Sequence, residues 1–440
     1  MSVFKPFKLV LISFLIWLFF YVQISVEYIY NGSALFPITV LFFYILFFYL
    51  GLKTIHIKKY INKIKPSKSK IKQLLTILFI IGFIGVLLKF YIGFFKTGIF
   101  TAQNIFEKRL ENMGKELSGG AIGIVASVMY PFSFIAISIA IYNFKILNKF
   151  FLILIILVGM YPFIEGYFMG GRSTFALLGT TMVFVMYASF FKNFNIIFLK
   201  IKLYGYRLVQ IPKFLFKKKI LIPALLVVVL FIGYSVKVVG DRMDRFRFGN
   251  HAIRIMEMKN NKWVKFDEAF KAEFYNATKE EQGKLIGIFS LKHYFAHGVI
   301  EYIRLVNHLD KKTGYYYGEY EFNVFVKFFK AVGVPLRSFT ELNEILSRKS
   351  VYSTFWGPFY IDFGLFGVII MFFMGRFVKK VYCYAKLGFT QYVIFYGYLC
   401  TIIITSFFIN FLLGSSSYFL FAFIITLLLF RIVPNNLKIV

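Results

Sequence analysis

Four side chains capable of chemistry recur at helical steps in the stretch Lys292-His-Tyr-Phe-Ala-His-Gly-Val-Ile-Glu-Tyr-Ile-Arg: His293, His297, Glu301 and Arg304. Steps of four, four and three put them on one face of a helix. Two uses of that face are open. Two imidazoles and a carboxylate could ligate zinc, although no fourth ligand is indicated and the His-Glu-x-x-His pattern is absent. A His or Glu acting as general base beside an arginine that holds phosphate oxygens suits the same residue types better.

A second candidate is the turn Glu165-Gly-Tyr-Phe-Met-Gly-Gly-Arg-Ser-Thr. Gly170 and Gly171 let the backbone turn tightly, Ser173 or Thr174 can cap the helix that follows, and the positive helix end faces the same way as the Arg172 guanidinium. Together Arg172 and Ser173 make a seat for phosphate. The alternative is that Arg172 snorkels or pairs with Glu165. A third cluster interleaves Arg242, Arg245 and Arg247 with Asp241 and Asp244, neighbours close enough on a helix to neutralise one another at a membrane surface. Asp362 lies about two turns inside an apolar run, a depth at which a carboxyl is either functional or held by hydrogen bonds from Tyr or Trp neighbours. Tyr315, Tyr316 and Tyr317, with Trp356 further on, offer aromatic faces for stacking on sugars, or an interfacial aromatic belt.

The elements that must position these groups are membrane spans. The 440 residues are 59% hydrophobic and 21% aromatic. Ten apolar runs suggest spans at roughly 7–30, 34–52, 73–95, 119–143, 150–168, 173–191, 220–239, 354–375, 388–412 and 416–432, most of them near the 18 to 20 residues that cross about 30 Å of hydrocarbon. The expected class is an all-α polytopic membrane protein in three parts: spans 1–7 with basic loops over 1–239, a large helical outer loop over 240–352, and spans 8–10 over 353–440. With the N-terminus inside, the inner loops hold about half of the 52 Lys and Arg residues and no Asp or Glu. Both termini are therefore expected inside. The insertion Asp241 to Tyr352 holds fourteen of the twenty acids and four of the five histidines, which concentrates the candidate chemistry on the outer face.

The same division accounts for the net charge of +32. Basic runs such as Lys53 to Lys72 and Lys213 to Lys219 are short, lie beside spans and belong to no nucleic-acid-binding module, so topology and anionic headgroups explain them. The first run is too long for a signal-peptide core and no Ala-x-Ala-like site follows it, so it is read as an uncleaved anchor. Cys383 and Cys400 sit in or beside apolar runs, which is packing and not a disulfide framework. Lys96 to Ser118 reads as a headgroup-level helix with weak ion pairs, and Trp263 to Gln282 as interfacial amphipathic helices. Phe322 to Val334 is too short and too charged to span, and Pro335 stops it.

Ser350-Val-Tyr-Ser-Thr-Phe-Trp-Gly-Pro-Phe-Tyr-Ile-Asp362-Phe-Gly364-Leu-Phe-Gly367, followed by apolar residues and Gly375-Arg376, resembles the tyrosine, threonine, aspartate-phenylalanine-glycine pattern of Wzy-type oligosaccharide repeat-unit polymerases. Gly170-Gly-Arg-Ser looks like their glycine-arginine-serine motif, and Thr313-Gly-Tyr-Tyr-Tyr-Gly before an apolar helix and Pro335 is similar to their large outer loop. The exact motifs cover residues 168–178 and 313–376. Ser350 stands where asparagine is usual, and Ser353 where threonine is. The resemblance implies a GT-C-like fold and a membrane glycosyltransferase acting on the outer face of the bacterial cytoplasmic membrane. Such an enzyme joins polyprenyl-pyrophosphate-linked repeat units into O-antigen, capsule or exopolysaccharide, with a chain-length regulator and a flippase as partners.

On that reading Arg172, with Arg337, Arg242 or Arg245, holds pyrophosphate, and His297, His293 or Glu301 serves the acceptor hydroxyl. Asp362 then positions the outer-loop helix or an arginine. Many membrane glycosyltransferases place paired carboxylates for a metal in the first outer loop. Here Glu27 is the only acid there, so neither metal nor other cofactor is expected. An O-antigen ligase would share this chemistry and differ in its acceptor. A lipid-linked glycan flippase would instead need charged or broken helices near the midplane.

Overall fold

The computed structural model describes residues 4–60, 63–98, 100, 120–168, 172–203, 233, 263–309, 315–331, 333–337 and 354–434. Among them every regular element is helical except one two-stranded ribbon. Helix α1 (Pro6–Val22) opens on a proline, whose missing N–H is one the first turn leaves unpaired anyway. It is apolar on all sides, burying Leu9, Val10 and Ser13 and leaving Leu15, Phe19 and Val22 exposed, as a lipid-facing helix does. After β1 (Val26–Tyr28) come α2 (Leu35–Lys53) and α3 (Lys68–Tyr91), the latter capped by the Ser67 hydroxyl on the Lys70 N–H. Pro131 separates α4 (Gly120–Met129) from α5 (Pro131–Tyr142). Pro162 falls in the same way at the start of α7 (Tyr161–Phe168), just after α6 (Lys149–Gly159). Helix α8 (Arg172–Leu203) follows.

The second part begins with β2 (Val264–Phe266), antiparallel to β1 with Val26 opposite Phe266. It continues through α9 (Glu268–Asn276), the long α10 (Lys279–Leu309) and α11 (Asn323–Ala331). The chain returns through α12 (Trp356–Phe363) and, after a break at Gly364, α13 (Gly367–Lys386). It closes with α14 (Thr390–Ile404) and α15 (Ser417–Ile432). Helices α2 and α13 touch backbone to backbone through small residues: a Cβ on Gly51 would lie 2.1 Å from the Phe372 carbonyl oxygen, and one on Gly375 2.1 Å from that of Phe48.

Six helical stretches among the described residues are long and apolar enough to cross a membrane, and α1, α14 and α15 are apolar but shorter. This is a predominantly helical membrane protein; the run at 220–239 lies outside the described residues. The run at 388–412 departs from a single span. Its helix stops at Ile404, and residues 405–412 are buried non-helical backbone. At about 1.5 Å per residue, α14 is only about 22 Å long, shorter than the hydrocarbon core. Irregular backbone at that depth must find its partners within the protein. Phe355 donates its N–H to the Ser406 carbonyl (2.9 Å), and Phe407 to the Ser13 hydroxyl of α1 (3.2 Å).

The two ends of the bundle differ. Gly51 and Arg376, Tyr60 and Tyr384, Asn143 and Thr390, and Tyr142 and Lys65 around Gly388 all meet at one end. That end therefore gathers the basic loops. The opposite end carries the β1–β2 ribbon and the 263–337 segments and is called the cap.

Candidate functional site

Helix α10 carries His293, His297, Glu301 and Arg304 on one face, and that face is buried. Trp17 of α1 donates its indole N–H to the Ala296 carbonyl (2.9 Å), and Phe20 stacks on Phe295, which presses the helix against α1. Arg304 Nη1 meets Glu301 Oε1 at 2.6 Å. Its Nε donates to the Ile29 carbonyl at 2.9 Å, its Nη2 to the carbonyls of Ile29 and Trp263, and its guanidinium lies over the Trp263 ring. One arginine thus ties α10 to the ends of both ribbon strands. His293 Nδ1 is 3.1 Å from the Tyr28 hydroxyl, and its ring stacks between Phe289 and His297. His297 Nδ1 is 2.6 Å from the His293 carbonyl, which assigns a hydrogen to that nitrogen. The face expected to serve a substrate holds the cap onto the bundle instead, with each of the four groups engaged inside the protein.

Asp362 is fully buried in α12 and also serves backbone. Its carboxylate accepts the N–H of Tyr320 (3.0 Å) and of Glu321 (2.8 Å), and its carbonyl accepts that of Tyr317 (3.0 Å). Two residues on, Gly364 has φ +50°, a left-handed conformation, and a Cβ there would lie 1.9 Å from the Tyr315 ring. Glycine at 364 therefore lets Tyr315 lie on the backbone of the α12–α13 break. The result is a turn, residues 315–322, fastened to the bundle with its outer side free: Tyr317 is 79% exposed. Arg337 stacks its guanidinium on the Tyr316 ring at 4.3 Å and donates its backbone N–H to Glu319 Oε2 at 3.1 Å. An exposed cation on an aromatic face, beside an exposed tyrosine, is suited to an anionic group attached to a sugar. Trp356, in contrast, is buried among Phe48, Phe355 and Phe407 and offers no sugar a face.

No family model, curated protein or solved structure matches the chain. Its own geometry also holds two polar residues that spacing alone does not single out. Glu321 is fully buried, and Asn410, in the non-helical stretch after α14, has its Nδ2 2.9 and 3.2 Å from the two Glu321 carboxyl oxygens. Burial, with the Asp362 carboxylate beside it, pushes the Glu321 carboxyl well above the usual carboxylate range, against the smaller pull of the Asn410 amide. The available signal was a lone amide in the apolar run Ser406-Phe-Phe-Ile-Asn-Phe-Leu-Leu. Next to this pair, an apolar cavity of about 190 Å³ is lined by Val10, Phe48, Phe322, Trp356, Leu399 and Leu412, among others.

Of the remaining candidates, Arg172 and Ser173 open α8, the span that starts where α7 ends. Glu165 is held by Lys89 of α3 at 3.3 Å. Lys89 also lies over the Tyr130 ring at 4.9 Å. Arg242 and Arg245 lie outside the described residues, as do Gly170 and Gly171.

Proposed function

We propose that the chain is a polymerase that joins polyprenyl-pyrophosphate-linked oligosaccharide repeat units on the outer face of the cytoplasmic membrane. It has a ten-span, GT-C-like layout with both termini inside. In the reaction, a hydroxyl of one repeat unit attacks the reducing-end carbon of another. A carbon–oxygen bond forms there, the hydroxyl's proton passes to water at the outer face, the bond to pyrophosphate breaks, and the lipid pyrophosphate departs with both electrons of that bond. The demands on the protein are cations for the departing charge, a surface that grips sugar, and a fixed geometry between them.

The observation that carries the reading is the seated turn. The Asp362-Phe-Gly364 segment, which carries the resemblance to the polymerases, is the one that holds Tyr315 to Tyr317 in place and with them Arg337. In this account Arg337 and Arg172 receive pyrophosphate, the exposed Tyr315 and Tyr317 the sugar, Tyr316 backs the Arg337 guanidinium, and Asp362 is a positioning residue. The apolar cavity beneath the turn, lined by carbon-rich side chains, suits the lipid's hydrocarbon. Deleting the gene in its host tests the class. Loss of long surface polymer with single repeat units still displayed is expected; loss of all surface glycan with units trapped inside would instead mean a flippase.

A further inference from the structure

The 315–322 turn is fastened twice, and the two fastenings differ in kind. Asp362 takes backbone N–H groups of the turn. Glu321 sends its side chain the other way, to Asn410 in the stretch after α14. The Asn410 amide has no freedom to flip, because its Oδ1 accepts the Leu412 N–H at 2.8 Å and only Nδ2 is left to face Glu321. The groups that act on or face Glu321 are Asp362 from α12, Tyr398 from α14, Tyr320 from its own turn and Asn410. Glu319 adds its charge to Asp362 from the exposed side of the turn. None of these is cationic, and no ion pair to Glu321 or Asp362 occurs among the described residues.

Two carboxyl groups in one uncompensated interior do not both ionise. Asp362 has two N–H donors, which favour a carboxylate, whereas Glu321 has one amide. The proton that one of the two must keep therefore resides on Glu321. We propose that protonated Glu321 is the latch that seats the Tyr315–Tyr317 turn and Arg337 on the bundle, and that losing the proton releases them. Glu321 is then a positioning residue, and its consequence for catalysis rests on the polymerase reading above.

The direction with pH follows from the raised affinity for the proton. The seated carboxyl titrates well above the ordinary 4.5 that a released, solvated one would have. The latch is fully set below about pH 4.5 and weakens as pH rises toward the seated value, by up to roughly tenfold in the seated-to-released ratio per pH unit.

The full chain in nanodiscs provides the test. Tyr320→Cys places a thiol at a buried site of the turn and Tyr317→Cys one at its exposed tip, while the native Cys383 and Cys400 are buried. Each alkylation rate is divided by the thiolate fraction of that same thiol, followed by its own ultraviolet titration, so that the ratio reads access and not ionisation. That ratio should rise with pH when Glu321 is present and rise clearly less in Glu321→Gln, whose amide oxygen still accepts from Asn410 but cannot ionise, leaving Asp362 as the one carboxyl of the pair. A flat ratio with Glu321 in place overturns the latch, whether or not the Gln variant folds, and so does an equal rise in Glu321→Gln. Polymer formation measured in parallel should fall over the same pH range. A ratio that rises as described in a protein that makes no polymer at any pH would remove the polymerase reading and leave the latch standing.

Discussion

Arg304 shows how a residue type can be read correctly and its employment missed. Its spacing from His293, His297 and Glu301 placed all four on one face, as they are. That α1, Tyr28 and the ribbon would cover this face is a property of the folded cap, which no local pattern records. Arg304→Ala would leave Glu301 buried without its cation and take the guanidinium from the carbonyls of Ile29 and Trp263, the second of which keeps only the Ile29 N–H. A loss of about 3–5 kcal/mol is expected, seen as a lowered unfolding temperature in detergent. An unchanged temperature would return the face to the list of substrate-binding candidates. Asp362 was legible as an intramembrane carboxyl with a purpose. Its partners, the N–H groups of a turn 41 and 42 positions away in sequence, were not.

At the scale of elements, apolar runs located the helices well but not their ends. The run at 388–412 holds no proline or glycine where the helix stops, only Asn410 and a few hydroxyls, so periodicity alone continues it through Ile404. What stops it is tertiary: residues 405–413 bond to α1 and to the start of α12 and lie under α10. Gly298 is the point of closest approach. A Cβ there would sit 2.6 Å from the Phe407 carbonyl oxygen and 2.8 Å from the Phe408 Cα, both backbone atoms that cannot swing aside. Gly298→Ala is expected to destabilise by about 1–3 kcal/mol through overpacking. It should also speed proteolysis of the cap, because α10 must lift from the connection. Wild-type proteolysis rates would show that the close approach is not needed.

For the whole molecule, composition gave the class that the structure displays, a predominantly helical protein with apolar spans, and basic side chains of several described loops gather at the end opposite the ribbon. Those features depend on summed properties of long segments, which survive any local misreading. The candidate site was legible only in part. Tyr315 to Tyr317, Arg337 and Asp362 were marked by residue type, whereas Glu321 and Asn410 acquire their meaning from meeting each other across 89 positions. The surface they seat is where the account places its chemistry. The most direct measurement is polymer formation by the purified protein in liposomes supplied with lipid-linked repeat units. The account predicts a ladder of products from the wild type. It predicts a fall of roughly 10- to 100-fold in Arg337→Ala and in Arg172→Ala, the loss expected from one charge-assisted contact. Full polymer from Arg337→Ala, Arg172→Ala and Arg172→Lys, or no polymer from the wild type, would contradict it.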